Sequence, residues 1–245
     1  MTWISLIGIT LAVFALVATL SVRSGFRTEI VDTILGANSH ITLYKMPSQD
    51  QYGNVTRTFE NYDEVSSKLI SVPGVKRSAP LIRSQIMATY DDRNTGLEVF
   101  GISYENLLEL ERISNPEKYS GDLDNFENGI AIGSGVAREL GVQVGDKIKL
   151  ISPNGARTAF GVSPRIKQFK IVYIFTAGRY DIDRTRSYLP FNIAQEYFNR
   201  EGLADEIEIL LDDPSNLPEA ITLIENIVEP DIQLWTWRDA SSSFL

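Results

Sequence analysis

The chain opens on a run without a charged side chain, from Trp3 to Val22, dominated by Leu, Ile, Val, Ala and Phe. A helix of that length rises about 30 Å at roughly 1.5 Å per residue, the thickness of a bilayer's hydrocarbon core. Residues 1–22 are therefore expected to form a transmembrane helix, with Ser5, Thr10 and Thr19 bonding back to their own backbone. A cleaved signal peptide is the competing reading. It wants a basic start, a shorter apolar core and a small-residue cleavage site, and Met1-Thr2 supplies no basic residue. Beyond Arg23, apolar positions recur at three- and four-residue steps: Phe26, Ile30, Val31, Ile34, Leu35. Residues 23–37 are predicted to continue as a stalk helix that Gly36 ends.

From His40 onward the pattern alternates between short strands and short amphipathic helices. Strands are predicted at 40–44, 75–81, 84–91, 96–102, 129–132, 147–152, 168–176, 186–190, 205–211 and 231–235. Helices are predicted at 62–71, 104–111, 135–140, 192–199 and 215–228. Loops are predicted at 46–58, at the acidic stretch 114–128 and through Asp183. The order predicts an α+β fold. Residues 38–102 and 203–240 would form a discontinuous outer pair of β-α-β units, with residues 103–202 inserted as a second unit.

Charge and composition narrow the chemistry. The 245 residues carry 23 basic and 32 acidic side chains, a net charge of −9, which argues against nucleic acid as a partner. No cysteine is present, which excludes disulfides, thiol catalysis and cysteine metal sites. The single histidine, His40, sits at a strand entry, where packing is the expected role. Gly133-Ser134-Gly135 stands between a strand and a helix, the place for a phosphate-binding turn. The third glycine of the dinucleotide fingerprint would fall on Arg138, so a tight strand-to-helix turn is the preferred reading. Asp181 and Asp183 offer two carboxylates but are followed by Arg184 and Arg186, so a solvated loop with local ion pairs is expected rather than a metal site. No catalytic constellation, metal or cofactor is expected, which leaves a membrane-anchored envelope enzyme as the least favoured class.

One stretch runs against the acidic background. Between Lys147 and Tyr180 lie Lys147, Lys149, Arg157, Arg165, Lys167, Lys170 and Arg179 without a single acid. Inside it, Ser152 to Pro164 joins two predicted strands by a link longer than an ordinary hairpin loop, with Phe160 near its middle. A long loop with an apolar tip and a basic base suits docking. A flexible surface excursion is the alternative, and the residues alone leave the two even.

Motifs spread along the chain carry a resemblance. Leu20-Ser21-Val22 with Gly25-Phe26 and Glu29-Ile30, then Ile34-Leu35-Gly36 and His40-Ile41, resemble the end of the first membrane helix in lipoprotein-releasing system permeases, the LolC/LolE/LolF family. Ser24 stands where that family usually has Asn. Val72-Pro73-Gly74-Val75, Ala79-Pro80, Ile132-Gly133, Leu140-Gly141, Val144-Gly145-Asp146, Ala194-Gln195 and Trp237-Arg238-Asp239 also fit. The resemblance implies an inner-membrane ABC transporter subunit of a Gram-negative bacterium. Its periplasmic domain would be MacB-like, with a discontinuous Porter-like part (38–102 and 203–240) and an inserted Sabre-like part (103–202). It implies a separate ABC ATPase subunit, a second permease subunit, lipoprotein substrates taken from membrane lipid, and a LolA-like periplasmic chaperone, with no covalent chemistry in this domain. LolC-like members carry a hook hairpin that captures the chaperone, which resembles residues 153–167 here. Phe160, after Ala159, would form the apolar tip where the family often has Pro-Met. Arg165 and Lys167, past Pro164, would form the basic base, and Arg157, Gly161 and Val162 would complete the chaperone-binding set. A MacB-type efflux or mechanotransmission subunit shares the architecture and is the alternative.

Overall fold

The computed structural model describes residues 2–35, 38–49, 55–153, 157–158 and 161–240. The expected membrane helix and stalk are one continuous helix, α1 (Thr2–Leu35). At 1.5 Å per residue it is about 51 Å long, some 20 Å more than a hydrocarbon core requires. Its window Leu6–Arg23 has mean hydropathy 2.1 and is 0% buried, so its apolar surface is presented outward, long and apolar enough to cross a membrane. The Thr10 and Thr19 hydroxyls donate to the carbonyls of Leu6 and Ala15 at 2.8 Å, which hides their polarity as expected. Gly36, the expected helix stop, lies outside the described residues.

After α1 come β1 (Ile41–Lys45), a small hairpin of β2 (Ser48–Gln49) and β3 (Val55–Thr56), α2 (Tyr62–Ile70), β4 (Val75–Tyr90) and β5 (Arg93–Ile102). Then follow α3 (Tyr104–Leu108), α4 (Glu111–Ser114), β6 (Lys118–Gly121), a 3₁₀ turn (Leu123–Asn128), β7 (Ile130–Gly133) and α5 (Ser134–Leu140). Next are β8 (Lys147–Ser152), the short β9 (Arg157–Thr158) and β10 (Gly161–Val162), β11 (Arg165–Thr176), α6 (Tyr180–Thr185), β12 (Arg186–Pro190) and α7 (Phe191–Phe198). The last elements are β13 (Glu206–Leu211), α8 (Leu217–Glu225), β14 (Ile232–Thr236) and α9 (Trp237–Ala240).

The outer unit is a split β-α-β sandwich. β1-α2-β4 and β13-α8-β14 lay down an antiparallel sheet in the order β14-β1-β13-β4, the ferredoxin-like arrangement. Alternation decides its faces. Ile41, Leu43, Ile207 and Ile209 point to one side and pack against Val65 and Leu69 of α2 and Ala220 and Ile224 of α8. The other side carries Arg77, Glu206 and Glu208, and no helix of this unit covers it.

Strand β4 belongs to two structures at once. Val75–Leu81 pair with β13, and from Ile82 onward the strand pairs with β5 instead. From there the pairing runs β4-β5-β12-β7-β11-β8 and returns to β4 through Met87–Thr89, closing a six-stranded barrel. Inward side chains such as Ile86, Val99, Ile132, Leu150 and Ile171 fill it, with α5 and α7 packed against the same core. Gly101 lets α7 lie directly on β5: a Cβ there would stand 2.3 Å from that of Ala194. A second core, with Phe100, Phe126, Phe175 and Ile182, runs outside the barrel wall and reaches Leu81 and Leu210 of the outer sheet.

Four expectations change. Predicted strands 75–81 and 84–91 are one strand: the backbone stays extended through Leu81 and Ile82, both buried, where the inward positions change phase as the strand changes partner. The acidic loop 114–128 contains β6 and a 3₁₀ turn that buries Leu123 and Phe126. The loop through Asp183 is helix α6. The two-part division is a division of cores and not of the sheet, since β4 past Leu81 and all of β5 pair only with barrel strands.

Candidate functional site

The proposed hook leaves the barrel between β8 and β11. The two strands pair from Lys147↔Lys170 to Ser152↔Arg165, with Ile148, Leu150, Phe169 and Ile171 inside. Farther out, β9 and β10 pair antiparallel as Arg157↔Val162 and Thr158↔Gly161. Ala159 and Phe160, the expected tip, lie outside the described residues. Pro164 is exposed, and Arg165 already belongs to β11, so the excursion is 153–164 rather than 153–167.

The basic base divides into an inward and an outward set. Arg165 does not project as a free charge. Its Nη1 donates to the carbonyls of Glu196 (2.7 Å) and Tyr197 (3.1 Å), and its Nη2 donates to Oδ1 of Asn199. These oxygens mark the C-terminal end of α7, where unpaired carbonyls make the negative end of the helix dipole. Asn199 itself takes the left-handed conformation that ends the helix (φ 54°). The Tyr197 hydroxyl donates back to the Arg165 carbonyl at 3.2 Å. Lys167 pairs with Glu196 at 3.1 Å and sits 5.7 Å over the Phe169 ring. Both side chains therefore fasten the hairpin root to α7.

The outward set is Lys147, Lys149 and Lys170, all exposed, on the outer face of the same ladder. Beside them lie Ile166 (61% exposed) and Met87 (48% exposed), joined through Ile151 by direct cross-strand pairing. A cleft of 660 Å³ opens there, lined by Met87, Leu97, Ile151, Pro153 and Pro164 among others. The hairpin root thus presents an apolar cleft next to a stripe of lysines.

The other sequence candidates resolve into packing. Gly133 and Gly135 make room for the backbone of α6: a Cβ on either would fall 2.3 Å and 2.7 Å from the Asp183 carbonyl oxygen. Asp181 pairs with Arg179 at 2.7 Å; burial opposes its charge, but the guanidinium holds it below the usual carboxylate range. Asp183 accepts from the Ala177 amide at 2.6 Å, and burial pushes its carboxyl up. Among the described residues no group of three or more His, Cys, Asp and Glu is placed to hold a metal. His40 is 6% exposed and accepts the Leu211 amide on Nδ1 at 2.9 Å. Burial, helped by Arg77 and Lys76, pushes it down to about 4.

Sequence reasoning missed two groups. Glu196 and Asn199 act on the hairpin from a different element, and nothing in their local pattern announces it. The second is a charged seam on the face of the outer sheet opposite α2 and α8: Arg77 with Glu208 at 3.0 Å, and Arg83 with Glu98 at 2.6 Å and Glu206 at 3.6 Å. Arg83 and Arg186 both stack on the Phe100 ring, at 5.1 Å and 4.6 Å. Arg186 also donates to Asn38, just past α1, at 2.9 Å. The signal existed: Glu206 and Glu208 alternate with Ile207 and Ile209, which aims two acids at one face of a central strand.

The sequence matches the MacB-like periplasmic core domain over residues 2–227. The lipoprotein-releasing system transmembrane protein LolC of Neisseria meningitidis serogroup B is 28% identical over 247 residues, covering 99% of this chain and 57% of that protein. LolE of Haemophilus influenzae is 27% identical over 215 residues, covering 86% and 50%. The chain thus spans about half the length of the curated relatives it matches. Among solved structures, the periplasmic region of MacB from Actinobacillus actinomycetemcomitans aligns with TM-score 0.53 at 11% identity, over 88% of this chain and 97% of that one. The extracellular domain of the ABC-type transporter YknZ from Gram-positive bacteria aligns with TM-score 0.50 at 16% identity, over 80% and 99%. At those identities the structural likeness speaks for the fold alone. The sequence match, though, runs from the apolar helix through the barrel and into the second half of the outer sheet, so the chain belongs to the MacB-like periplasmic core domain family.

Proposed function

We propose that this chain is part of a permease subunit of an ABC transporter that releases lipoproteins from the bacterial inner membrane. It would carry the first membrane helix and the periplasmic domain. In this reading a separate subunit hydrolyses ATP, a second permease of the same family completes the membrane pathway, and the domain itself is non-catalytic. The hairpin 153–164 receives a LolA-like periplasmic chaperone. The observation that carries the reading is the hairpin root: an excursion from a closed barrel, clamped to α7 by Arg165, beside an apolar cleft and three outward lysines. A fixed root lowers the ordering cost of docking, and the lysines suit an acidic partner surface. The names of the LolC and LolE relatives favour lipoproteins as cargo over the substrates of a MacB-type exporter.

The test is calorimetry of the chain in detergent with a purified LolA-like chaperone. Wild type is expected to bind, Phe160→Asp to weaken binding at least about tenfold, and reversal of Lys147, Lys149 and Lys170 to Glu to remove most of its salt dependence. Equal binding by wild type and Phe160→Asp, or no binding by wild type, overturns the assignment of the hairpin.

A further inference from the structure

The charged seam sits where β4 changes partners, between Leu81, which faces Glu206, and Ile82, which faces Gly101. Arg83 stands two residues past Leu81 and reaches both ways. Its Nε and Nη2 donate to Oε1 of Glu98, on the barrel strand β5, at 2.9 Å and 2.6 Å. Its Nη1 stands 3.6 Å from Oε2 of Glu206, on the outer-sheet strand β13. Its backbone amide donates to Asp205 at 2.9 Å, so the residue's position is held while its guanidinium is shared. Glu206 is 2% exposed, and its Oε1 has no hydrogen-bond partner.

We propose that Glu206 is a proton-operated latch that divides the Arg83 guanidinium between the outer sheet and the hook-bearing barrel. Ionised, the carboxylate competes with Glu98 and draws the guanidinium toward β13, fastening the two units across the strand they share. Protonated, it leaves Arg83 wholly to Glu98, and the outer sheet and barrel are joined there by strand and apolar core alone. The 3.6 Å separation fits a shared cation better than a completed ion pair, and the orphaned Oε1 fits an acid without enough donors to satisfy it when charged.

The groups facing Glu206 set where it titrates. Burial pushes its carboxyl up to about 7. Arg83 on β4 and the Tyr44 hydroxyl on β1 work against that rise, while Glu208 on the same strand and Glu98 on β5 add to it. Lys45, Arg57, Arg200 and Asp205 line the adjoining cleft, and of these Arg200 is paired with Asp205 and Lys45 with Asp231 at 3.5 Å. Arg83 is the cation that reaches Glu206 directly, at 3.6 Å, while it is also bound to Glu98 at 2.6 Å. Such a latch answers to the acidity of the medium around the domain and does not depend on which partner the hairpin receives.

The chain has no native cysteine, so two can be introduced without background. Spin labels at Thr222→Cys on α8 and Asp92→Cys in the turn between β4 and β5 would report the outer unit against the barrel in the full chain. Between about pH 5.5 and about pH 8.5 the wild-type distance distribution is expected to shift, with a midpoint near that of Glu206. Glu206→Gln, which keeps the shape and removes the charge, is expected to hold the acid-side distribution throughout. Arg83→Gln should also abolish the shift, while the Glu206 carboxyl, followed by ¹³C NMR, still titrates. An unchanged wild-type distribution, a shift that persists in Glu206→Gln, or a Glu206 carboxyl that titrates in the ordinary glutamate range each overturns the proposal.

Discussion

Replacing Arg165 by Ala removes one side chain and unfastens two things. The guanidinium donates to two carbonyls at the end of α7 and to the Asn199 side chain, while the backbone carbonyl of Arg165, which accepts from Tyr197, survives the substitution. A hydrogen bond from a charged donor contributes about 1.5–3 kcal/mol, and a cation at a helix C-terminus about 0.3–1 kcal/mol. These terms overlap, and Arg165 is half-buried, so part of the loss is recovered by water. The expected net cost is about 2–3 kcal/mol, or a fall in Tm of roughly 4–12 °C for a domain of this size. Arg165→Lys keeps the charge but loses the fork, and is expected to recover less than half. Thermal unfolding followed by circular dichroism measures both. Chaperone binding should weaken in Arg165→Ala with its salt dependence unchanged, because the defect is in hairpin orientation and not in steering. A Tm within about 1 °C of wild type, or a binding loss that disappears at high salt, would refute the clamp.

Acid should destabilise the domain through His40, and the sign follows from its burial. An unfolded histidine titrates near 6.5 and His40 is held near 4, so between these values the unfolded chain binds more protons and stability falls as pH falls. The full effect is on the order of 3 kcal/mol. Glu206 pulls the other way: its folded value of about 7 lies above the unfolded 4.5, so its contribution is lost as pH rises through that window. Urea unfolding against pH is therefore best read in Glu206→Gln, and adding His40→Gln should flatten the remaining acid slope; an unchanged slope refutes the assignment. Gly133→Ala is expected to cost about 1–3 kcal/mol, because its Cβ would meet the Asp183 carbonyl oxygen at 2.3 Å. Gly96→Ala, with nothing within 4 Å, is the control, and equal Tm values for the two would show that α6 yields.

Local pattern made the elements legible where burial was local. The helix at 62–71 and the strand at 147–152 were readable because their inward positions repeat with a fixed period, and the strand at 186–190 as a short run buried on both faces. The helix at Tyr180–Thr185 was hidden because a six-residue helix buries little more than Ile182, too short a run for its period to stand out. The barrel was not legible at all: closure depends on β8 reaching β4 across the chain, and no residue advertises a partner that distant. The site divides likewise. A basic, Pro- and Gly-bounded excursion is visible in composition, yet composition does not say which cations face out. Arg165 and Lys167 looked free because the carbonyls and the acid that hold them come from α7, some thirty residues on.

The shared strand also favours one order of assembly. The outer sheet needs Leu81 beside Glu206, and the Asp205 amide bonds to the Leu81 carbonyl at 2.8 Å, so both ends of the inserted barrel leave through one narrow neck. For an unfolded chain, bringing those ends together means closing a loop of roughly 120 residues; with the barrel already formed, the neck is in place. Loop entropy scales with the logarithm of length, so prior closure of the barrel lightens the remaining search by about 4 kcal/mol. On loop entropy alone, the barrel in the middle of the chain is expected to form before the outer sheet that brackets it.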